Sequence, residues 1–166
     1  MLFRSVFFMI TNLQIIYGAF VAGLKAGLVY NTFPLMGNEW MPDAVTAITP
    51  FRNNLLSNMA GVQFIHRCIA WILFFFGCFL LFKVFRLKIE GRLKKAIYLL
   101  CTVLLIQFTL GVFTLIFAVP VFLGVFHQAM AFVLYSASLF FMFLTMNKPV
   151  YQINKLMNAN IFNKNS

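Results

Sequence analysis

The stretch MAGVQFIHRCIAWILFFFGCFLLFKV, residues 59–84, decides the fold. It carries no acidic residue, and its cations are confined to Arg67 and, at the far end, Lys83. A helix crosses the hydrocarbon layer of a bilayer with roughly 20 apolar residues, so this segment is long and apolar enough to span. Three more stretches of the same kind lie on either side of it, at residues 2–24, 96–119 and 121–146. The sequence therefore predicts an all-α integral membrane protein, a four-helix transmembrane bundle over residues 1–147, followed by a basic cytoplasmic tail at 148–166. Composition agrees. Of 166 residues, 63% are hydrophobic, 18% aromatic and 10% charged, against about 25% charged in an ordinary soluble domain. This excludes a soluble enzyme, a nucleic-acid-binding protein and a disordered chain.

The net charge of +10 is a statement about orientation. Lys83, Arg86, Lys88, Arg92, Lys94 and Lys95 crowd the short second connection, opposed by Glu90 alone. Lys148, Lys155 and Lys164 lie in the tail, and Arg4 opens the first span. The long first connection, 25–58, instead sets Lys25 and Arg52 against Glu39 and Asp43. Basic residues accumulate in cytoplasmic segments, so both termini and the basic connection are expected in the cytoplasm, with the long loop and the turn at Pro120 on the opposite side. Trp40 is expected as an interfacial anchor in that loop. The first span has no A-x-A cleavage site and is read as retained rather than as a signal peptide. Its small residues, Gly18/Ala22 and Ala19/Gly23, form ridges that let a helix or a flat ligand approach the backbone closely. Cys68, Cys78 and Cys101 fall inside spans and read as small membrane-buried hydrophobes, with no disulfide or metal-thiolate spacing.

The chain has two histidines. His66 lies about seven residues into the second span from its outer end, and His127 about seven residues into the fourth. At a rise of 1.5 Å per residue each sits roughly 10 Å below the same membrane surface. Two imidazoles at one depth on two helices of one bundle suit the clamping of a haem iron from both faces. Gln63, Ile69, Ala70, Leu73 and Gly77 share or adjoin the face of His66, and Gly124, Ala131 and Ser138 that of His127. Gln107, Gly111 and Thr114 form a polar stripe on the third span that should face the bundle. Arg67, Arg52 and Lys25 offer cations for haem propionates. The competing reading is that membrane histidines brace helices through interhelical hydrogen bonds. Arg67 has its own alternative, as an outward-snorkelling topology anchor.

Several of these residues stand in runs that resemble the haem A synthases of aerobic bacteria and mitochondria. The runs are GAFVAGLKAGLVYNTFPLMG at 18–37, VQFIHR at 62–67, LGVFTL at 110–115 with Val119 and Pro120, and the pair His127 and Gln128. They come in family order and cover residues 13–146. Ile65 stands where some members carry an acidic residue, and position 25 varies between acidic and basic. The resemblance implies oxidation of a haem O methyl group to the formyl group of haem A, for cytochrome oxidase. It implies two pseudo-symmetric four-helix bundles, with a b-type haem (haem b) in the C-terminal one between histidines matching His66 and His127. Arg67, Gln63 and Gln128 are the further cofactor-binding candidates, and the implied setting is the bacterial inner membrane.

The departure is in length. The resemblance is to the C-terminal half, and no acidic residue lies inside a span to match the family's essential carboxylate. The expectation is therefore a fragment or split half that needs an N-terminal four-helix half, or a second copy of itself, for turnover. Haem O synthase and oxidase assembly factors are the further partners implied. Two alternatives stay open: a bis-histidine b-type electron-transfer subunit without haem O conversion, and an inactive fragment.

Overall fold

The structure is a computed structural model and describes residues 2–146; the expected tail at 148–166 lies outside the described residues. Five helices form: α1 (Leu2–Gly23), the short α2 (Arg52–Leu56), α3 (Met59–Arg86), α4 (Gly91–Ile116) and α5 (Val121–Met146). All but α2 are long and apolar enough to cross a membrane. Among the described residues the extended pairing is a single bridge between Met36 and Glu39.

The four long helices match the four expected spans, and the third needs correction. It begins at Gly91 rather than Ala96 and ends at Ile116 rather than Val119. Hydropathy marks where the chain turns apolar, whereas a helix can begin among lysines and arginines whose stems lie along apolar surface. At its other end the chain leaves the helical region because Ala118 and Val119 both adopt φ of 57°. A left-handed conformation costs an L-residue roughly 1–2 kcal/mol, most for a branched one. Here it is held by the Val119 N–H donating to the Thr114 carbonyl (2.8 Å) and the Ala118 N–H to that of Leu115 (3.0 Å).

Round the bundle, α1 and α4 each pack against both α3 and α5. The two histidine-bearing helices, α3 and α5, are thus diagonal to one another, as are α1 and α4. The interior has two storeys. At the basic end the helices close on an apolar core of Phe7, Leu80, Val84, Ile97, Leu100, Val103, Ala137 and Phe141. Toward the long loop the bundle opens into a cavity. Its floor takes one residue from each helix: Thr11, Leu73, Leu104 and Leu134, all buried.

The long loop is ordered by two buried asparagines. The Asn54 amide accepts from the Ile48 N–H (2.9 Å) and donates to the Ile48 carbonyl (2.6 Å). Asn58 caps α3 by accepting the Ala60 N–H (3.0 Å), and its Nδ2 donates to the Ala44 carbonyl (2.7 Å) and to Asn54 Oδ1 (2.8 Å). Gly61 makes room for this cluster, since a Cβ there would strike the Asn54 carbonyl. Replacing Asn58 by alanine removes the cap and the donor to both the Ala44 carbonyl and Asn54 Oδ1, which should destabilise the chain by about 2 kcal/mol. A thermal melt of the detergent-purified variant measures it; an unchanged midpoint would contradict the network.

Candidate functional site

A cavity of about 600 Å³ opens between the four long helices at the loop end. That volume lies in the range of small-molecule and cofactor sites, about 300–1,000 Å³. Its wall is mainly apolar, with polar groups at few points: Gln14, Lys25, Gln63, His66, Arg67, Gln107, His127 and Gln128 among them.

Both histidines face this cavity, from diagonal helices. His66 packs against Gly18 of α1, where a Cβ would come within 3.3 Å of its Cε1. His127 packs against Gly111 of α4, where a Cβ would come within 2.9 Å of its Cε1. Each ring nitrogen Nε2 meets a glutamine amide: Gln14 Nε2 lies 3.2 Å from His66 Nε2, and Gln107 Nε2 lies 3.4 Å from His127 Nε2. The site is a repeated pattern. Positions 11, 14 and 18 on α1 correspond to 104, 107 and 111 on α4, and positions 66, 70 and 73 on α3 correspond to 127, 131 and 134 on α5. Every one of these residues lines the cavity.

The other candidates are placed as follows. Gln63 lines the cavity and its Nε2 donates to the Tyr30 carbonyl (3.0 Å). Gln128 lines it one residue beyond His127, as Arg67 does beyond His66. Ala70, Leu73, Gln107, Gly111, Thr114, Gly124 and Ala131 are in the wall, whereas Ile69, Gly77, Ser138 and Arg52 are not. Ser138 is buried and donates to the Tyr135 carbonyl. Cys68 and Cys101 are half-buried, Cys78 faces outward, and all three are free.

Arg67 has a role that sequence spacing did not convey. Its Nη2 donates to the Tyr30 carbonyl (2.8 Å), and its Nη1 to those of Thr32 (2.9 Å) and Leu35 (3.1 Å). It therefore clamps the loop over the cavity, with Nε buried and unpaired. Arg67→Met should loosen residues 30–35, read as faster proteolytic cleavage there and a stability loss of about 2–3 kcal/mol. Cleavage at the wild-type rate would argue against the clamp. Gln14 is the site residue that sequence reading missed. Its signal was its spacing to Gly18, which repeats the spacing of Gln107 to Gly111.

The wall fits a haem. Among the described residues six buried polar atoms have no hydrogen-bond partner: Gln14 Oε1, Gln63 Oε1, His66 Nδ1, Arg67 Nε, Gln107 Oε1 and His127 Nδ1. All six belong to residues of this cavity, whereas buried polar groups are normally paired. No group of three or more His, Cys, Asp or Glu gathers among the described residues. Two imidazoles are too few for a bare metal ion, but they would suffice for an iron whose other ligands come from a macrocycle.

Comparison with known proteins gives the kinship. The haem A synthase of Wolbachia pipientis wMel is 40% identical over 130 residues, which cover 78% of this chain and 35% of that protein. That of Nitrosospira multiformis is 40% identical over 127 residues, 76% of this chain and 36% of the relative. That of Flavobacterium psychrophilum is 44% identical over 124 residues, 74% and 37%. The chain thus spans little more than a third of the length of the curated relatives it matches. No solved structure matches it. Residues 1–139 match the COX15-CtaA family of cytochrome oxidase assembly proteins, and to that family the chain belongs.

Proposed function

We propose that this chain is the haem-b-binding bundle of a haem A synthase system, in which a methyl group of haem O is oxidised to the formyl group of haem A. The observation that carries the proposal is the pair of histidines on diagonal helices, each backed by a glycine, facing one cavity. A bound b-type haem would supply a one-electron couple able to take up electrons released by that oxidation. His66 and His127 would hold it through Nε2. Lys25, the free Nε of Arg67 and Gln128 stand where carboxylate edges of a ligand could be met, and Gln63 has Oε1 free to accept. Leu73, Leu104 and Leu134 exclude water from below. The clamped loop covers the site from above.

No carboxylate lines the cavity, so a methyl oxidation needing a carboxylate base has none here. We therefore place substrate oxidation in a second bundle of the same assembly, supplied by an N-terminal half or a second copy. The distribution of basic residues supports a topology with the basic end of the bundle at the cytoplasm and the loop outside, and the bacterial relatives support an inner-membrane setting.

The test is a reduced-minus-oxidised spectrum and a pyridine haemochrome on the detergent-purified chain, followed by incubation with haem O. A b-type spectrum at one haem per chain is expected, with haem O converted only when a partner bundle is present. A folded chain that takes no haem would overturn the site. Conversion by the chain alone would overturn the division of labour. The missing carboxylate also favours a second reading, a bis-histidine electron-transfer subunit; the same spectrum with no conversion under any pairing would select it.

A further inference from the structure

At the end where the basic residues gather, the four long helices border another groove, of about 300 Å³. Its apolar lining includes Leu80, Ile97 and Phe141, all buried members of the core. Phe3 and Leu87 line it too but are exposed, so they stand at its mouth. Its polar side chains are Arg4 of α1, Lys83 of α3 and Thr145 of α5. Lys83 is in the last turn of the 28-residue α3, and Thr145 is next to last in the 26-residue α5. At 1.5 Å per residue these helices are about 42 and 39 Å long, against roughly 30 Å for the hydrocarbon layer. The polar end of the groove therefore stands at headgroup depth, with apolar side chains on its inner side.

Burial separates the cations at this end. Arg86, Lys88, Arg92, Lys94 and Lys95 are exposed, whereas Arg4 and Lys83 are half-buried and reach one groove from different helices. No acidic residue lines it; the chain has three, Glu39 and Asp43 in the long loop and the exposed Glu90. Lys83 Nζ is held 5.3 Å from the centroid of the Phe79 ring, which is also in the wall. Thr145 already donates its hydroxyl to the Phe141 and Met142 carbonyls (2.9 Å each), so the two cations are the donors left to a ligand. Residues 148–166 follow α5 at this end, but they carry Lys148, Lys155 and Lys164 and no acidic residue. Their charge repels the groove's cations rather than complementing them.

Two half-buried cations beside an apolar slot match an anion joined to an aliphatic chain, and basic pockets between spanning helices recognise anionic lipid headgroups. We propose that this groove binds one anionic phospholipid from the leaflet at the basic end. Its phosphate lies between Arg4 and Lys83, and the start of one acyl chain lies against Phe79 and Ile97. The rest of the lipid leaves past Phe3. Because the two cations belong to α1 and α3, the bound phosphate ties those helices together and stabilises the folded bundle. None of this depends on the histidines or on a haem.

The experiment uses the full chain in a neutral detergent, titrated in turn with phosphatidylglycerol, phosphatidylcholine and glycerol 3-phosphate. Native mass spectrometry counts bound lipid, and a thermal melt follows stability. One phosphatidylglycerol per chain should be retained and should raise the melting midpoint, with phosphatidylcholine at least tenfold weaker. Glycerol 3-phosphate, lacking chains, should neither bind nor compete. Arg4→Gln and Lys83→Gln should each weaken retention about fivefold, about 1 kcal/mol per cation. Arg86→Gln and Lys94→Gln remove the same charge outside the groove and should bind as wild type does. Equal losses in all four variants, or equal retention of phosphatidylcholine, would overturn the site in favour of diffuse surface charge. Glycerol 3-phosphate binding as tightly as the lipid would overturn it in favour of a soluble anion. A full chain that retains no phosphatidylglycerol would overturn it as well, including the case in which residues 148–166 take the groove. Haem content is measured separately, so this proposal and the histidine site fail independently.

Discussion

Replacing either His66 or His127 by alanine is expected to abolish the low-spin b-type spectrum, lowering haem content at least tenfold. The two rings approach from diagonal helices, so neither has a neighbour able to take its place: the cavity wall holds no other histidine, no cysteine and no methionine. With one ligand gone a bound iron would lose its low-spin state, and the macrocycle would be held by a single histidine and the remaining wall contacts. Folding should survive, because the apolar core at the basic end contains neither histidine. Circular dichroism alongside haem content separates the two effects. Were the histidines only braces between helices, wild type and variants would both lack haem, and the variants would differ in stability alone.

The second large effect should come from glycine. At Gly111 a Cβ would lie 2.9 Å from His127 Cε1, closer than real Cβ contacts; at Gly18 it would lie 3.3 Å from His66 Cε1. Gly111→Leu drives side-chain atoms into the place of the ring, and overpacking of this kind costs about 1–3 kcal/mol. Haem affinity should fall at least tenfold, about 1.4 kcal/mol. The effect should be graded: Gly111→Ala should weaken binding more than Gly18→Ala, because His66 has a few tenths of an ångström more to yield. A haem titration of the three variants measures the order. Equal and negligible effects would show that the rings are free to move aside.

Much of this architecture was legible because bilayer physics leaves few choices. Residues 59–84 and 121–146 are too apolar to be anything but buried or spanning helices, and the latter bounds match α5 residue for residue. The histidines stood out by rarity and matched depth, and the stripe Gln107, Gly111 and Thr114 does face the interior. Three things were hidden. The start of α4 was obscured because Arg92, Lys94 and Lys95 look like loop to a hydropathy count. Gln14 was passed over because one amide in an apolar span says nothing until its partner across the helix gap is known. The loop order set by Asn54 and Asn58 depends on contacts up to 14 residues apart, which local propensity does not register. Arg67 illustrates the same limit: beside a histidine it reads as a ligand group, but tertiary contacts assign its Nη atoms to carbonyls of residues 30–35.

The floor of four side chains, Thr11, Leu73, Leu104 and Leu134, has a consequence for biogenesis. Beneath it lies the apolar core of Phe7, Leu100, Val103 and Ala137, so the helices grip one another on the side away from the cavity. That grip does not depend on the cavity wall, so insertion and pairing of the helices need not wait for a ligand. If the cavity takes a haem as proposed, its delivery can follow assembly as a separate step.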